Sequence, residues 1–484
     1  MSRGRNPQEG TDDARAEAAA PGAARSQLAA VRLGVRHPIR AVRRMRDRAR
    51  TDPLVRNSLF IIGTTVLNSV LGYAFWILVA RNFPAGEVGL AAALVSAMTV
   101  TSMVANLGVS PTMVQVLPTR SGDADWSLTF TTGLVVSSGA ALVAGTATFL
   151  LLPVLSDQFG FMRNNPLIAV LFIVAVLATT AGAILDAVYV AQRAAGNVLA
   201  RNGVASILKL VIIAVLLTLP WAGVAGVFSP WTISGTASII FGLLVLIPRV
   251  KRSARLRFRG VAREARELIV PFLGHHAITL GAQLGVFLLP VLVTTRLSPT
   301  DNAYFYTAWM LGGVFFIISP AVAYSLFAES SHETGKLLQK ARSSVRLISI
   351  ILLPLMMAYL VGGRILLSLF GPEYARHSLG LLVILVFSAI PDAITNVYVV
   401  VLRVERRLGA AAGLNISMSL GALVLAWFLL PHLGIAGAGL AWLIMQTVGS
   451  VAAAVDLRFH KRAARVTAGE EVGTPWVALE ESNR

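Results

Sequence analysis

The residues of this sequence with chemistry to offer are a few ionisable and amide side chains set inside long apolar runs. Lys209 stands seven residues past Asn202 and ten before Leu219, about 10 Å along a helix from the near end of its run. An ammonium at that depth either lines an internal cavity, where it meets an anion, or snorkels back to the interface. Arg364, late in its run, lines an outer vestibule or caps a helix end. Arg81 and Arg296 close two other runs, where a cation suits the helix dipole or flanks the mouth of a cleft. Asp392 follows Pro391 and lies eleven residues before Arg403, about 16 Å from the nearer end of its helix. Its carboxylate either caps a helix broken at the proline or binds a coupling ion or proton, and Asp186 has the same choice closer to the end. Asn68 and Gln283 suit interhelical hydrogen bonds as well as ligand contact.

Catalytic chemistry is harder to find. The pair His275-His276 projects in directions about 100° apart on a helix, a poor metal site without distant partners. The chain has no Cys, which removes disulfides, thiol catalysis and Cys-ligated metal. No enzymatic constellation and no cofactor site is expected.

These residues must be positioned by membrane-spanning helices. The chain is 55% hydrophobic and 14% charged, far more apolar than a soluble domain. The net charge of +18 would suggest nucleic acid in a soluble protein, but here the charge sits in tails and short loops beside apolar runs, where it serves orientation and lipid headgroups. Twelve runs near 55–80, 87–109, 127–152, 167–190, 203–219, 225–248, 268–295, 303–328, 344–370, 378–402, 409–430 and 434–456 predict an all-α polytopic protein. With the N-terminus inside, 36 of the 42 Lys/Arg fall on the inner side and five on the outer, leaving Lys209 within a span. Both termini are therefore expected in the cytoplasm.

The charge also divides the chain. Residues 1–53 form a basic arm, whose part from 28 to 50 reads equally as an amphipathic helix on the anionic inner leaflet or as a disordered orienting tail. A six-helix lobe over 54–248 is followed by a linker over 249–267 carrying eight Lys/Arg and two acids, a second six-helix lobe over 268–458 and a tail over 459–484. The lobes repeat each other. Arg81 and Pro84 recur as Arg296 and Pro299 at an offset of 215, with Asn68 opposite Gln283. Asp186-Ala187 to Arg193 is echoed by Asp392-Ala393 to Arg403. The run Leu219-Pro220 to Gly226 returns 211 residues later as Leu430-Pro431 to Gly437. An even number of spans gives both copies the same orientation, and substrates commonly bind between such lobes.

Asn57, the Ala80-Arg81-x-x-Pro84 turn with Glu87 and Gly89, Leu107-Gly108, Gly371-Pro372-Glu373-Tyr374 and the Leu-Pro-x-x-Gly-Ile-Ala-Gly-Ala run from Leu430 to Ala438 carry a resemblance. Over roughly residues 54–456 the chain resembles the polysaccharide flippases of the multidrug/oligosaccharidyl-lipid/polysaccharide exporter superfamily. The resemblance implies two rocking lobes and movement of an undecaprenyl-pyrophosphate-linked oligosaccharide across the cytoplasmic membrane for polysaccharide biosynthesis. The implied partners are that lipid-linked glycan, anionic lipids of the inner leaflet, and a glycan polymerase or glycosyltransferases; nucleic acid is not among them. A multidrug or cation exporter of the same fold should bury an acid in its first or second span, and Val55 to Ala80 has none. The lipid II flippase of peptidoglycan synthesis shares the cation-lined cavity and is not separated. A membrane glycosyltransferase or polymerase is disfavoured by the short loops. The long basic arm departs from the family pattern.

Overall fold

Burial in a bilayer leaves backbone amides no partner but each other, so apolar runs of this length become helices. The computed structural model describes residues 53–219, 223–330 and 337–470; the basic arm and the end of the tail lie outside them. The described residues form α1 (Pro53–Asn82), α2 (Ala85–Ala105), α3 (Val109–Val116), α4 (Asp123–Leu155), α5 (Pro166–Ala191), α6 (Ala195–Leu216) and α7 (Val224–Val250). They continue with α8 (Val261–Arg296), α9 (Pro299–Ser330), α10 (Leu337–Ser368), α11 (Pro372–Val404), α12 (Leu408–Leu433) and α13 (Ile435–Glu470). No strand occurs among them.

Eleven of these helices are long and apolar enough to cross a membrane. The twelfth long helix, α8, begins with the charged end of the linker, and its described side chains include the apolar stretch Gln283–Arg296. The short α3 is an addition to the twelve expected runs. The fifth run, expected from residue 203, begins at Ala195. Arg201 and Asn202 interrupt its apolar pattern but lie inside the helix.

The helices form two lobes, α1–α7 and α8–α13. Large side chains such as Val143, Leu244 and Val361 face outward, as expected where lipid rather than water is the surrounding solvent. The interior is built on small residues. In α2, Ala91, Ala92, Ala93, Ser96, Ala97 and Ala105 are buried, which lets this helix run through the middle of the molecule against α4, α5, α7, α8 and α9.

The repeat extends to backbone geometry. At the α5–α6 turn, Arg193 has φ 54°, its amide donates to the Val190 carbonyl at 3.0 Å, and the Ala194 amide donates to the Tyr189 carbonyl at 2.8 Å. At the α11–α12 turn, Arg406 has φ 59°, its amide donates to the Arg403 carbonyl at 3.1 Å, and the Arg407 amide donates to the Leu402 carbonyl at 2.8 Å. Both are left-handed caps that satisfy the last carbonyls of a helix. Gly223 and Gly434, which precede α7 and α13, also share positive φ.

Arginine in these caps carries left-handed strain that glycine would not. Arg406 is exposed. Arg406→Gly is expected to raise the thermal midpoint of the detergent-solubilised protein, by up to about 1 kcal/mol of stability after allowance for the freer unfolded chain. Circular dichroism melts against the parent check this.

Candidate functional site

The lobes meet at the end of the molecule that carries the 82–85 and 296–299 turns, here the far end. The defining contact is between backbones. Asn302 Nδ2, at the start of α9, donates to the Gly89 carbonyl at 2.7 Å. Gly89 lies so close to the α8–α9 turn that a Cβ there would overlap the Pro299 carbonyl. Around this contact the Tyr73 hydroxyl donates to the Met310 carbonyl at 3.1 Å, and Trp76 packs on Tyr306 with ring centroids 4.8 Å apart. Arg81 Nε donates to the Leu369 carbonyl at 2.7 Å, at the end of α10.

On the opposite half, towards the basic end, a half-enclosed cavity of about 270 Å³ lies between α2, α3 and α5 of the first lobe and α8. Thr99, Ser102, Asn106, Ser110 and Thr179 contribute hydroxyls and an amide; Met103, Pro111, Ala183 and Leu280 contribute apolar wall; His276 faces it from α8. Among the described residues the lining holds no carboxylate, Lys or Arg. Its hydroxyls are tied into the helices behind them: Thr180 donates to Ser102 Oγ at 3.0 Å, and Asn106 Nδ2 donates to Ser110 Oγ at 2.8 Å. Such a surface offers directional donors and acceptors to an uncharged polar group.

None of the expected site residues is among those that line this cavity. The Lys209 ammonium sits inside the first lobe, 3.7 Å from the Trp231 ring centroid and 5.3 Å from that of Phe75. Its residue is 8% exposed, so it does not snorkel, and aromatic faces stabilise its charge. Asn68 accepts from the Ser206 hydroxyl at 2.9 Å within the same lobe, and Gln283 is exposed, so the two amides do not meet. Arg364 is exposed on α10. Arg81 spans the lobes, whereas its repeat partner Arg296 lays its guanidinium 4.1 Å from the Trp427 centroid within the second lobe. Of the two histidines, His276 reaches the cavity, and the side chain of His275 lies outside the described residues.

The two aspartates differ. Asp186 is gripped by Arg201 in a two-point ion pair, 2.8 Å from Nε and 2.6 Å from Nη2, with Asn202 Nδ2 at 3.0 Å. Arg201 was not singled out from sequence. Its signal was spacing, because Asp186 and Arg201 flank one tight turn between antiparallel helices. Asp392 is 5% exposed, and its Oδ2 has no hydrogen-bond partner among the described residues. α11 runs unbroken through Pro391, so the carboxylate does not cap a helix break. Ser319 of α9 lies beside it with its own hydroxyl unpartnered, while Thr395 donates to Gln446 Oε1 at 2.9 Å and Ser450 donates to the Pro391 carbonyl at 2.9 Å. Buried carboxylate, hydroxyls and carbonyl together suit a small cation or a proton. No cluster of three or more metal-ligating side chains occurs among the described residues.

A second missed residue is Glu264, in the first turn of α8. It is buried, receives Arg120 Nη2 at 2.7 Å and the Thr129 hydroxyl at 2.6 Å, and ties α8 to the first lobe. Further along, the Ser419 hydroxyl of α12 donates to the Gly281 carbonyl at 2.8 Å. One helix is thereby held by both lobes.

The two-lobed, all-helical fold is similar to that of solved MOP-superfamily transporters. No protein-family model and no curated protein matches the sequence. Solved structures do match in fold. One is a lipid II flippase MurJ in an inward closed conformation (TM-score 0.66, 13% identity, covering 83% of this chain and 87% of that one). Another is an inward-facing multidrug resistance MATE family transporter of the MOP superfamily (TM-score 0.63, 15% identity, 83% and 96% covered). An outward-facing structure of such a transporter gives a TM-score of 0.54 at 15% identity, with 85% and 96% covered.

The Arg201 and Asp186 side chains are 8% and 27% exposed, so neutralising one leaves the other charge poorly solvated. Asp186→Asn is expected to cost about 3 kcal/mol and to lower the amount of folded protein in the membrane. The double variant Asp186→Leu/Arg201→Met should recover most of it. Fluorescence-detected gel filtration of the three proteins measures the difference.

Proposed function

We propose that the chain is a flippase that carries a glycan linked through pyrophosphate to a prenyl lipid across the cytoplasmic membrane by alternating access, with both ends of the chain in the cytoplasm. The observation that carries this reading is the cavity at the lobe junction, lined by hydroxyls, an amide and His276, on the half away from the lobe contact. Sugar hydroxyls both donate and accept, which matches a Ser/Thr/Asn surface. An organic cation would call for a carboxylate, and the described lining has none. The surplus of Lys and Arg at the basic end favours approach of an anionic headgroup from that side, while a prenyl tail can remain in lipid. Stronger likeness to inward-facing than to outward-facing relatives agrees with lobes that touch at the far end.

In this scheme the lobes part at the far end and approach at the basic end to release the glycan outside. Asp392, buried and without a hydrogen-bond partner for Oδ2 among the described residues, is the candidate group for the ion or proton that drives the cycle. Lipid II presents the same combination of sugar, pyrophosphate and prenyl chain, so the MurJ-like reading differs from this one in the glycan alone. The multidrug reading lacks a carboxylate in the cavity to support it.

Reconstitution tests the proposal. Proteoliposomes carrying a fluorescent prenyl-pyrophosphate oligosaccharide should show protein-dependent translocation, and lipophilic cations should not compete. Absence of translocation together with cation export would overturn it. Alternating access has a separate test, because the chain is free of Cys. A Cβ built on Gly86 lies 3.6 Å from Thr300 Oγ1 across the lobe contact, so short side chains at these two positions touch. The Gly86→Cys/Thr300→Cys protein should crosslink on oxidation, lose nearly all translocation and regain it on reduction. For the coupling group, Asp392→Asn is expected to leave substrate binding intact and to abolish the response of translocation to an imposed ion or proton gradient, read in the same vesicles.

A further inference from the structure

The linker between the lobes is neither a free tether nor part of the cavity lining. The Arg255 amide donates to Ser127 Oγ at 3.3 Å and the Arg257 amide donates to Thr131 Oγ1 at 2.9 Å, one turn apart on α4. Lys251 Nζ pairs with Asp123 Oδ1 at 2.5 Å, and Gly260, with φ 99°, packs on Leu128. Residues 254–258 carry no helical or strand pairing and are fixed along the first turns of α4 by these side-chain acceptors. Successive side chains of an extended segment point to opposite faces. Leu256 and Phe258 therefore share one face, and Arg255, Arg257 and Arg259 the other.

Both apolar side chains are left uncovered by the protein: Leu256 is 55% exposed and Phe258 65%. They lie within a run that carries Arg249, Lys251, Arg252, Arg255, Arg257 and Arg259. Their depth decides what meets them. At 1.5 Å per residue the 33 residues of α4 measure about 50 Å, longer than a hydrocarbon core of about 30 Å, and the acidic first turn, with Asp123 and Asp125, marks the end that overhangs the core. Ser127 and Thr131, four and eight residues into α4, fall in or next to that overhang. The segment pinned to them lies at the level of lipid headgroups.

We propose that residues 251–259 form an interfacial anchor for anionic phospholipid: Leu256 and Phe258 enter the acyl boundary, and the flanking arginines bind acidic headgroups. Each basic residue near an anionic surface adds attraction, which makes a cluster of this size selective for acidic lipid. The anchor holds the basic ends of α4 and α8, joined by Glu264 and Arg120, against one leaflet. It does not depend on which substrate the protein carries.

The absence of Cys allows a direct test with the full-length chain. Phe258→Cys is labelled with bimane and placed in nanodiscs of phosphatidylcholine alone or with a third phosphatidylglycerol. Arg193→Cys, on an exposed turn of the same end, is the control. The expected result is a blue-shifted emission at 258 with at least about two-fold stronger quenching by brominated lipid in the phosphatidylglycerol discs, weakened by 1 M salt and absent at 193. Replacing Arg252, Arg255, Arg257 and Arg259 by Gln, which keeps the backbone bonds to α4, should remove the difference between the two discs. A label at 258 quenched equally by aqueous iodide in every disc would overturn the anchor. So would insertion that ignores both the acidic lipid and the four arginines.

Discussion

The backbone contact between Gly89 of α2 and the α8–α9 turn constrains the rest of the structure. With no side chain at 89, the Pro299 carbonyl sits where a Cβ would be, and Asn302 hydrogen-bonds across the junction. Two helices so close, one from each lobe, close the far end and draw Tyr73, Trp76 and Arg81 into contact with the second lobe. Because α2 buries a column of alanines and serines, it passes between the lobes over most of its length. The separation of the lobes appears at the other end, where α2, α3, α5 and α8 surround the cavity.

Charge inside the bilayer is handled differently in the two lobes. In the first, Arg201 and Asp186 neutralise each other and Lys209 rests on aromatic faces. In the second, Asp392 is buried beside polar groups but faces no cation among the described residues, and Arg296 rests on Trp427. The two lobes share helix ends and turn geometry but not the arrangement of their ionisable groups. Arg81 and Arg296 make the point, since the same residue at the same helix end bridges the lobes in one copy and packs within a lobe in the other.

α8 belongs to both halves. Its first turns are fixed to α4 through Glu264, Arg120 and Thr129, and its later turns to α12 through Gly281, Gly285, Ile416 and Ser419. The interval between Leu268 and Gly281 contains Pro271 and Gly274, residue types that weaken a helix. The linker before it is held too firmly to serve as a loose hinge. His276 lies within that interval and lines the cavity, so the segment that would flex is also the one that faces the cavity.

The sequence by itself determined the class and plan: long apolar helices in two lobes joined by a basic segment. Hydrophobic run length and Lys/Arg asymmetry are local quantities set by the thickness and charge of a bilayer, and they need no knowledge of which helix meets which. The repeat at Arg81/Arg296 and at the two Leu-Pro turns was legible for the same reason, since a helix end records its own neighbours in sequence. Partnerships were decided by the tertiary structure. Lys209 and Arg201 are both cations in one helix, yet rotation and packing send one against Trp231 and the other onto Asp186. The cavity escaped sequence reading because its lining is Thr, Ser, Asn and a single His, residue types common in any membrane helix bundle. Only the convergence of four helices turns them into one surface.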